Sequence, residues 1–186
     1  MKNTYYISGR YIYDPRLINT IEDCETIPKN ELQDFFVTSC YFNKSEIIKI
    51  LLSNPQFSSH IDINKMGSEG CTAMNALAGC AHVKSLEILL QIEGVKEKIN
   101  PHIKNKKGWN PLMFAVGNYF HKTIELLIYD FNIEIDDETM EWLKGKNEIS
   151  RVYTEVLKMI EKRDLYNNLN NSISISQTPN KTGNKI

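Results

Sequence analysis

Positions 84–90 read KSLEILL, and positions 122–128 read KTIELLI. Polar falls on polar, Glu on Glu and aliphatic on aliphatic, at an offset of 38 residues. The same offset carries Gly70-Cys71-Thr72-Ala73-Met74 onto Gly108-Trp109-Asn110-Pro111-Leu112. One step back from Leu86 lands on Ile48, in the run IKILL at 48–52. Three copies at one period mark a repeat array, in which each unit is one supersecondary element.

Each copy predicts two helices. In the third, Asn110 is a good N-cap, and Pro111 fits the first helical turn, where a missing N–H costs nothing. Leu112, Ala115 and Val116 then fall at i, i+3 and i+4, which is one face of a helix. A turn is expected around Gly117-Asn118. The second helix turns Ile124, Leu127 and Ile128 inward. Small residues at Ala78 and Ala115 permit close helix approach. A lone pair of helices cannot bury both its faces, so the units must stack and share a continuous core.

The run Gly108-x-Asn110-Pro111-Leu112-x-x-Ala115, followed by Ile124-x-Leu126-Leu127, resembles the ankyrin repeat. That family reads G-x-T-P-L-H-x-A-A, a turn, then a V-x-L-L helix. The copy Gly70-x-Thr72-Ala73-Met74-Asn75 is similar, with Ala for the Pro and Asn for the His. In the first copy Leu32 stands where the glycine should, as in a degenerate capping unit. The period exceeds the family's usual ~33 by about five. The surplus is expected after the second helices, at 53–62 and 91–102. The resemblance implies an all-α fold: a short ankyrin-type helical-repeat solenoid of stacked helix-turn-helix units with long inter-repeat turns.

Beyond the third copy, Asp136 or Asp137 can cap a short helix carrying Met140, Trp142 and Leu143, ended by Gly145. Asn147 is expected to open another. Ile149, Val152, Tyr153, Val156, Leu157 and Ile160 keep one apolar face, with Glu155, Lys158 and 161–163 toward water. This pair is off-register for a repeat and reads as a C-terminal cap. The expected organisation is therefore 1–28, a Tyr-rich segment and short helix; 29–66, a degenerate capping repeat; 67–104 and 105–136, two repeats; 137–165, the helical cap; and 166–186, a polar, disordered tail. In the first region, residues around Ser8-Gly9-Arg10 form either a hairpin or an extended segment. Asp14-Pro15 opens a short helix through Ile21.

Composition narrows the function. Hydrophobic residues make up 41% and charged residues 24% of 186, enough for a real core. The net charge of -1 provides no global field for nucleic acid or membrane. No apolar run reaches signal-peptide or membrane-span length, so a soluble, cytoplasmic protein is expected. The cysteines Cys24, Cys40, Cys71 and Cys80 lack the paired spacing of a zinc site, and no metal or cofactor is expected. Nucleotide-binding, metalloprotease and hydrolase signatures are absent. His82 and His121 fall near the turns between paired helices, where a structural hydrogen bond accounts for them. Adjacent acids at Asp136-Asp137 are explained by capping.

The resemblance implies a non-catalytic protein–protein interaction module, a monomer on its own, that binds a partner protein through its concave finger and first-helix surface. Carried over residue by residue, the fingers are Met66, Ser68, Glu69 and Cys71 in one copy. In the next they are Lys104, Lys106, Lys107 and Trp109. Their mixed charge suits a partner with a partly acidic face. Trp109 has two readings, an interface anchor or packing on the neighbouring finger or Met66. An inhibitor, immunity or host-directed antagonist protein is the most concrete role. A structural subunit of a larger assembly and an enzyme on a helical-repeat scaffold remain as alternatives.

Overall fold

A computed structural model describes residues 4–7, 10–145 and 151–176. Strands β1 (Thr4–Ile7) and β2 (Arg10–Tyr13) pair antiparallel, Thr4 opposite Tyr13, so the opening segment is a hairpin. The helix expected at 15–21 starts later. Asp14 instead closes a turn, accepting from the Arg16 N–H and guanidinium. Thr20 and Asp23 then form a reciprocal cap for α1 (Ile21–Glu25).

The stack follows as paired helices. They are α2 (Leu32–Tyr41) with α3 (Ser45–Ser53), α5 (Ala73–Gly79) with α6 (Val83–Gln91), and α7 (Pro111–Gly117) with α8 (His121–Glu125). A π-helical turn, Leu126–Asp130, prolongs α8. In the long loop after α3 lies α4 (Pro55–Ser58), capped by Asn54; a 3-10 turn at Lys96–Lys98 occupies the equivalent loop after α6. First helices form one row, with α5 packed between α2 and α7, and α3 lies beside α6 in the second row. One core runs through the stack, with Phe35, Leu51, Leu77, Leu89, Leu112 and Leu127 fully buried.

The backbone repeats the 38-residue period more faithfully than the side chains do. Each first helix ends in a left-handed residue, at Asn43, Ala81 and Tyr119, with φ of 55°, 55° and 61°. Two bonds close each of these ends. Lys44, His82 and Phe120 donate to the carbonyls of Ser39, Leu77 and Ala115 at 2.9, 3.0 and 2.9 Å. The residue before each of these donates to Cys40, Ala78 and Val116. This is the double closure that satisfies the orphan carbonyls of a helix end.

The first copy departs from this register at its start. With Leu32 in place of the turn glycine, a 3-10 turn (Lys29–Glu31) runs directly into α2, which begins three residues before its counterparts. After the third copy come α9 (Asp137–Gly145) and α10 (Arg151–Ser176). Helix α9 packs on α7, and α10 packs on the π-helical turn. The α10 start expected at Asn147, with Ile149, lies outside the described residues.

Two expectations for α10 need correction. Arg163, expected in water, is buried: it donates to the Ile133 carbonyl and pairs with Asp164 at 2.7 Å. Its long stem covers apolar surface while its head satisfies a loop carbonyl. Residues 166–176, expected to be disordered, continue α10 as helix. Each residue added to an existing helix gains a backbone bond without repeating nucleation, and Asn and Ser cost only ~0.5 kcal/mol against the best helix formers. Residues 177–186 lie outside the described residues.

Candidate functional site

Two projecting turns precede the first helices of the second and third copies, and they match bond for bond. Gly67 donates to Cys71 O at 2.9 Å as Asn105 donates to Trp109 O at 2.8 Å. Gly70 donates to Gly67 O, and Gly108 to Asn105 O, both at 2.9 Å. The tight return requires φ of 75° at Gly70 and 79° at Gly108, a region that side chains strain to reach. Asn105 adds support from its side chain, accepting from the Lys107 and Trp109 N–H groups at 2.9 Å each.

The fingers are tied across repeats. The first copy's Asp34 accepts from Ser68 N at 2.6 Å. Lys106 N donates to Gly70 O at 3.1 Å. Asn75 caps α5 with Thr72 and donates to the carbonyls of Ile103 and Trp109 at 3.2 and 3.3 Å. Asn110 caps α7 and donates to Thr139 at 2.7 Å. An amide at 75 thus replaces the family's usual His and still bridges two units.

Between the rows of fingers and first helices lies a groove of about 630 Å³, one repeat wide. Its shape follows from three equivalent positions. Residues 38, 76 and 114 are Thr, Ala and Phe; residues 41, 79 and 117 are Tyr, Gly and Gly; residues 71 and 109 are Cys and Trp. The middle copy carries Ala76 against Thr38 and Phe114 and Cys71 against Trp109, and with Gly70 it forms the floor. Tyr41 and Phe42 make one wall, and Phe114 and Trp109 make the other. Gly79 lies against Phe114, where a Cβ would come within 3.2 Å of that ring. Charge enters only at the finger rim, through Glu69, Lys106 and Lys107, all exposed.

The structure separates the residues named from sequence. Glu69, Cys71, Lys106, Lys107 and Trp109 line the groove; Met66, Ser68 and Lys104 do not. Ser68 serves the tie to Asp34. Lys104 is turned to the next unit, paired with Glu138 and, at 3.3 Å, with Asp136. The Glu138 hydrogen bond raises the Lys104 pKa, and the Thr139 hydrogen bond followed by Lys104 lowers that of Asp136. Trp109 packs edge-to-face on Phe114 and Trp142, at 5.3 and 5.6 Å between centroids, rather than on Met66. Sequence reasoning missed Tyr41, Phe42 and Phe114. The 38-residue register held a usable signal, because it lines up large side chains against the small ones of the middle copy.

The residues weighed for chemistry have structural partners. Asp136 caps α9, accepting from Thr139 N at 2.7 Å. A ring nitrogen of His82 lies 2.9 Å from Tyr41 O, and His121 lies 3.5 Å from Glu155. Burial, with the Asp23 charge, pushes the Cys24 thiol up to about 11, and burial also raises Cys40 and Cys80, which suppresses the reactive thiolate. Among the described residues no group of three or more His, Cys, Asp or Glu gathers to hold a metal ion. No helix among them is long and apolar enough to cross a membrane.

A family model for ankyrin repeats, in three copies, matches residues 35–139. No curated protein and no solved structure matches the chain.

Proposed function

The chain belongs to the ankyrin-repeat family, and from that premise we propose that its concave groove receives a protein segment bearing one apolar anchor residue with acidic neighbours. Ankyrin repeats in general mediate protein–protein interaction, and the family is typically non-catalytic. The observation that carries the finer reading is the groove itself. Aromatic walls flank a floor of Ala76 and Gly70, and Lys106 and Lys107 stand at its edge. Aromatic side chains in a pre-formed recess gain apolar contact with little ordering cost, and rim lysines select an acidic partner and speed its arrival. The fingers are held by bonds from neighbouring units, so the recess is organised before binding. Binding of this kind suits an antagonist (an inhibitor, immunity or host-directed protein) that occupies its partner.

The test compares affinity capture from native cells by three forms of the full chain. Tyr41→Ala with Lys107→Glu alters one wall and the rim, both at exposed side chains. Lys49→Glu alters the second row and is the control. A partner retained by wild type and control and depleted at least tenfold from the double variant supports the groove. Equal recovery by all three refutes it. The antagonist role is then read from the captured partner's own activity with and without the chain; an unchanged activity removes that role.

A further inference from the structure

Beyond the groove, on the other side of Trp109, lies a smaller recess of about 110 Å³. Four aromatic residues line it: Trp109 from the finger, Tyr119 from the turn after α7, Trp142 from α9 and Tyr153 from α10. The two indoles meet at an interplanar angle of 65°. Gly117 lines the recess: a Cβ there would already reach ordinary contact, 3.6 Å from Trp109 and 3.7 Å from Trp142, so a longer side chain would enter the space. The equivalent residue of the first copy is Tyr41, which would fill it. Tyr119 is also held at φ 61°, an unusual conformation for a bulky residue, while the residue stays 45% exposed.

The volume corresponds to about three or four waters at ~30 Å³ each, well below the ~300 Å³ at which pockets for whole small molecules begin. It therefore suits one compact head group. Among the described residues the lining side chains bring four aromatic rings and two phenolic hydroxyls, with no carboxylate or amide. An unmodified ammonium brings three N–H donors, for which the described lining side chains hold only the two phenolic oxygens as strong acceptors. A fully methylated ammonium brings none and still carries the charge that aromatic faces attract. We propose that this aromatic recess is a binding site for a methylated ammonium cation, supplied either by an Nε-trimethyllysine side chain or by a free quaternary ammonium such as choline.

The test needs no prior partner. Trp109 and Trp142 are the chain's two tryptophans, so intrinsic emission reports on this site. The full chain is titrated at constant ionic strength with choline, with its neutral isostere 3,3-dimethylbutanol, and with a short peptide carrying Nε-trimethyllysine. The expected result is a saturable change in emission with the cations and at least tenfold weaker binding of the neutral isostere. Stronger binding of the peptide than of choline assigns the side-chain source; equal binding assigns the free cation. Gly117→Leu, confirmed as folded by circular dichroism, is expected to abolish the response. Equal affinity for choline and its isostere overturns the proposal, as does the lack of any saturable response or an unchanged response in folded Gly117→Leu. The choline–isostere comparison on the wild-type chain decides the question even if the variant does not fold.

Discussion

The junction between the first and second copies and the junction between the second and third share one backbone design but are tied differently. At the first junction, Ser85 of α6 donates to the Asn43 side chain of the preceding turn at 2.8 Å. One period on, Thr123 takes the place of Ser85 and Ala81 that of Asn43. Alanine offers no side-chain acceptor, and Thr123 Oγ1 is left buried without a hydrogen-bond partner among the described residues. The finger side is tied at both junctions: Asp34 accepts from Ser68 N and Gln33 donates to the Lys65 carbonyl at the first, and Asn75 donates to the Ile103 and Trp109 carbonyls at the second. A repeat fold therefore tolerates a missing tie on one side of a junction while the other side is well tied.

The sharpest way to break the comparison is to remove what both junctions share. Leu77 is fully buried in α5, between α2 and α7. Leu77→Ala is expected to cost about 3–4 kcal/mol, from lost burial plus a residual cavity, read as a fall in the urea midpoint. Asn75→Ala acts on the second junction alone. It removes the reciprocal half of the Thr72 capping box and two bonds to carbonyls, for an expected loss of about 2 kcal/mol. If that loss falls below ~0.5 kcal/mol, Asn75 is not the bridge described here.

The converse change repairs the second junction. Ala81→Asn places a residue that tolerates φ > 0 at a position now held at 55°, and it gives Thr123 the acceptor that Ser85 already has. Stabilisation of about 1–2 kcal/mol is expected from the two effects together. In Thr123→Val the gain from Ala81→Asn should shrink to the conformational part, and a double-mutant cycle measures the difference. An undiminished gain would show that no bond forms.

The smallest effect concerns the tie from the third finger to α9. Asp136 has its pKa lowered in the folded chain, so its contribution is present above its unfolded value, near ~3.9, and is lost as pH falls through the lower folded value. The carboxylate is half exposed, which limits the effect to a fraction of 1 kcal/mol. Asp136→Asn should flatten the stability–pH curve below about pH 4 and leave it unchanged near neutrality. A variant curve as steep as wild type would assign acid sensitivity elsewhere.

Much of the fold was legible because it rests on local rules. Thr72 and Asn110 sit where caps must sit, Pro111 where a missing N–H is harmless, and Gly70 and Gly108 where the chain turns left-handed. The spacing of Leu86, Leu89, Ile124 and Leu127 marks faces that are buried in the structure. The site was legible in part. Finger residues could be placed from the turn glycines, but their directions could not. Lys104 and Trp109 lie five residues apart on one finger, and both reach toward the cap. Asp136 and Glu138 offer charge to one, and Trp142 and Gly117 offer a partner and space to the other.

The sequence by itself determined the period, the paired helices and the finger turns, because caps, left-handed residues and apolar faces act within a few positions of the chain. Tertiary structure alone decided which side chains share a recess. Tyr41 and Phe114 face each other because the copy between them is small, and Trp109, Tyr119, Trp142 and Tyr153 converge from four separate segments. Such meetings depend on the space left between stacked units, a property of several copies together that no single stretch of sequence carries.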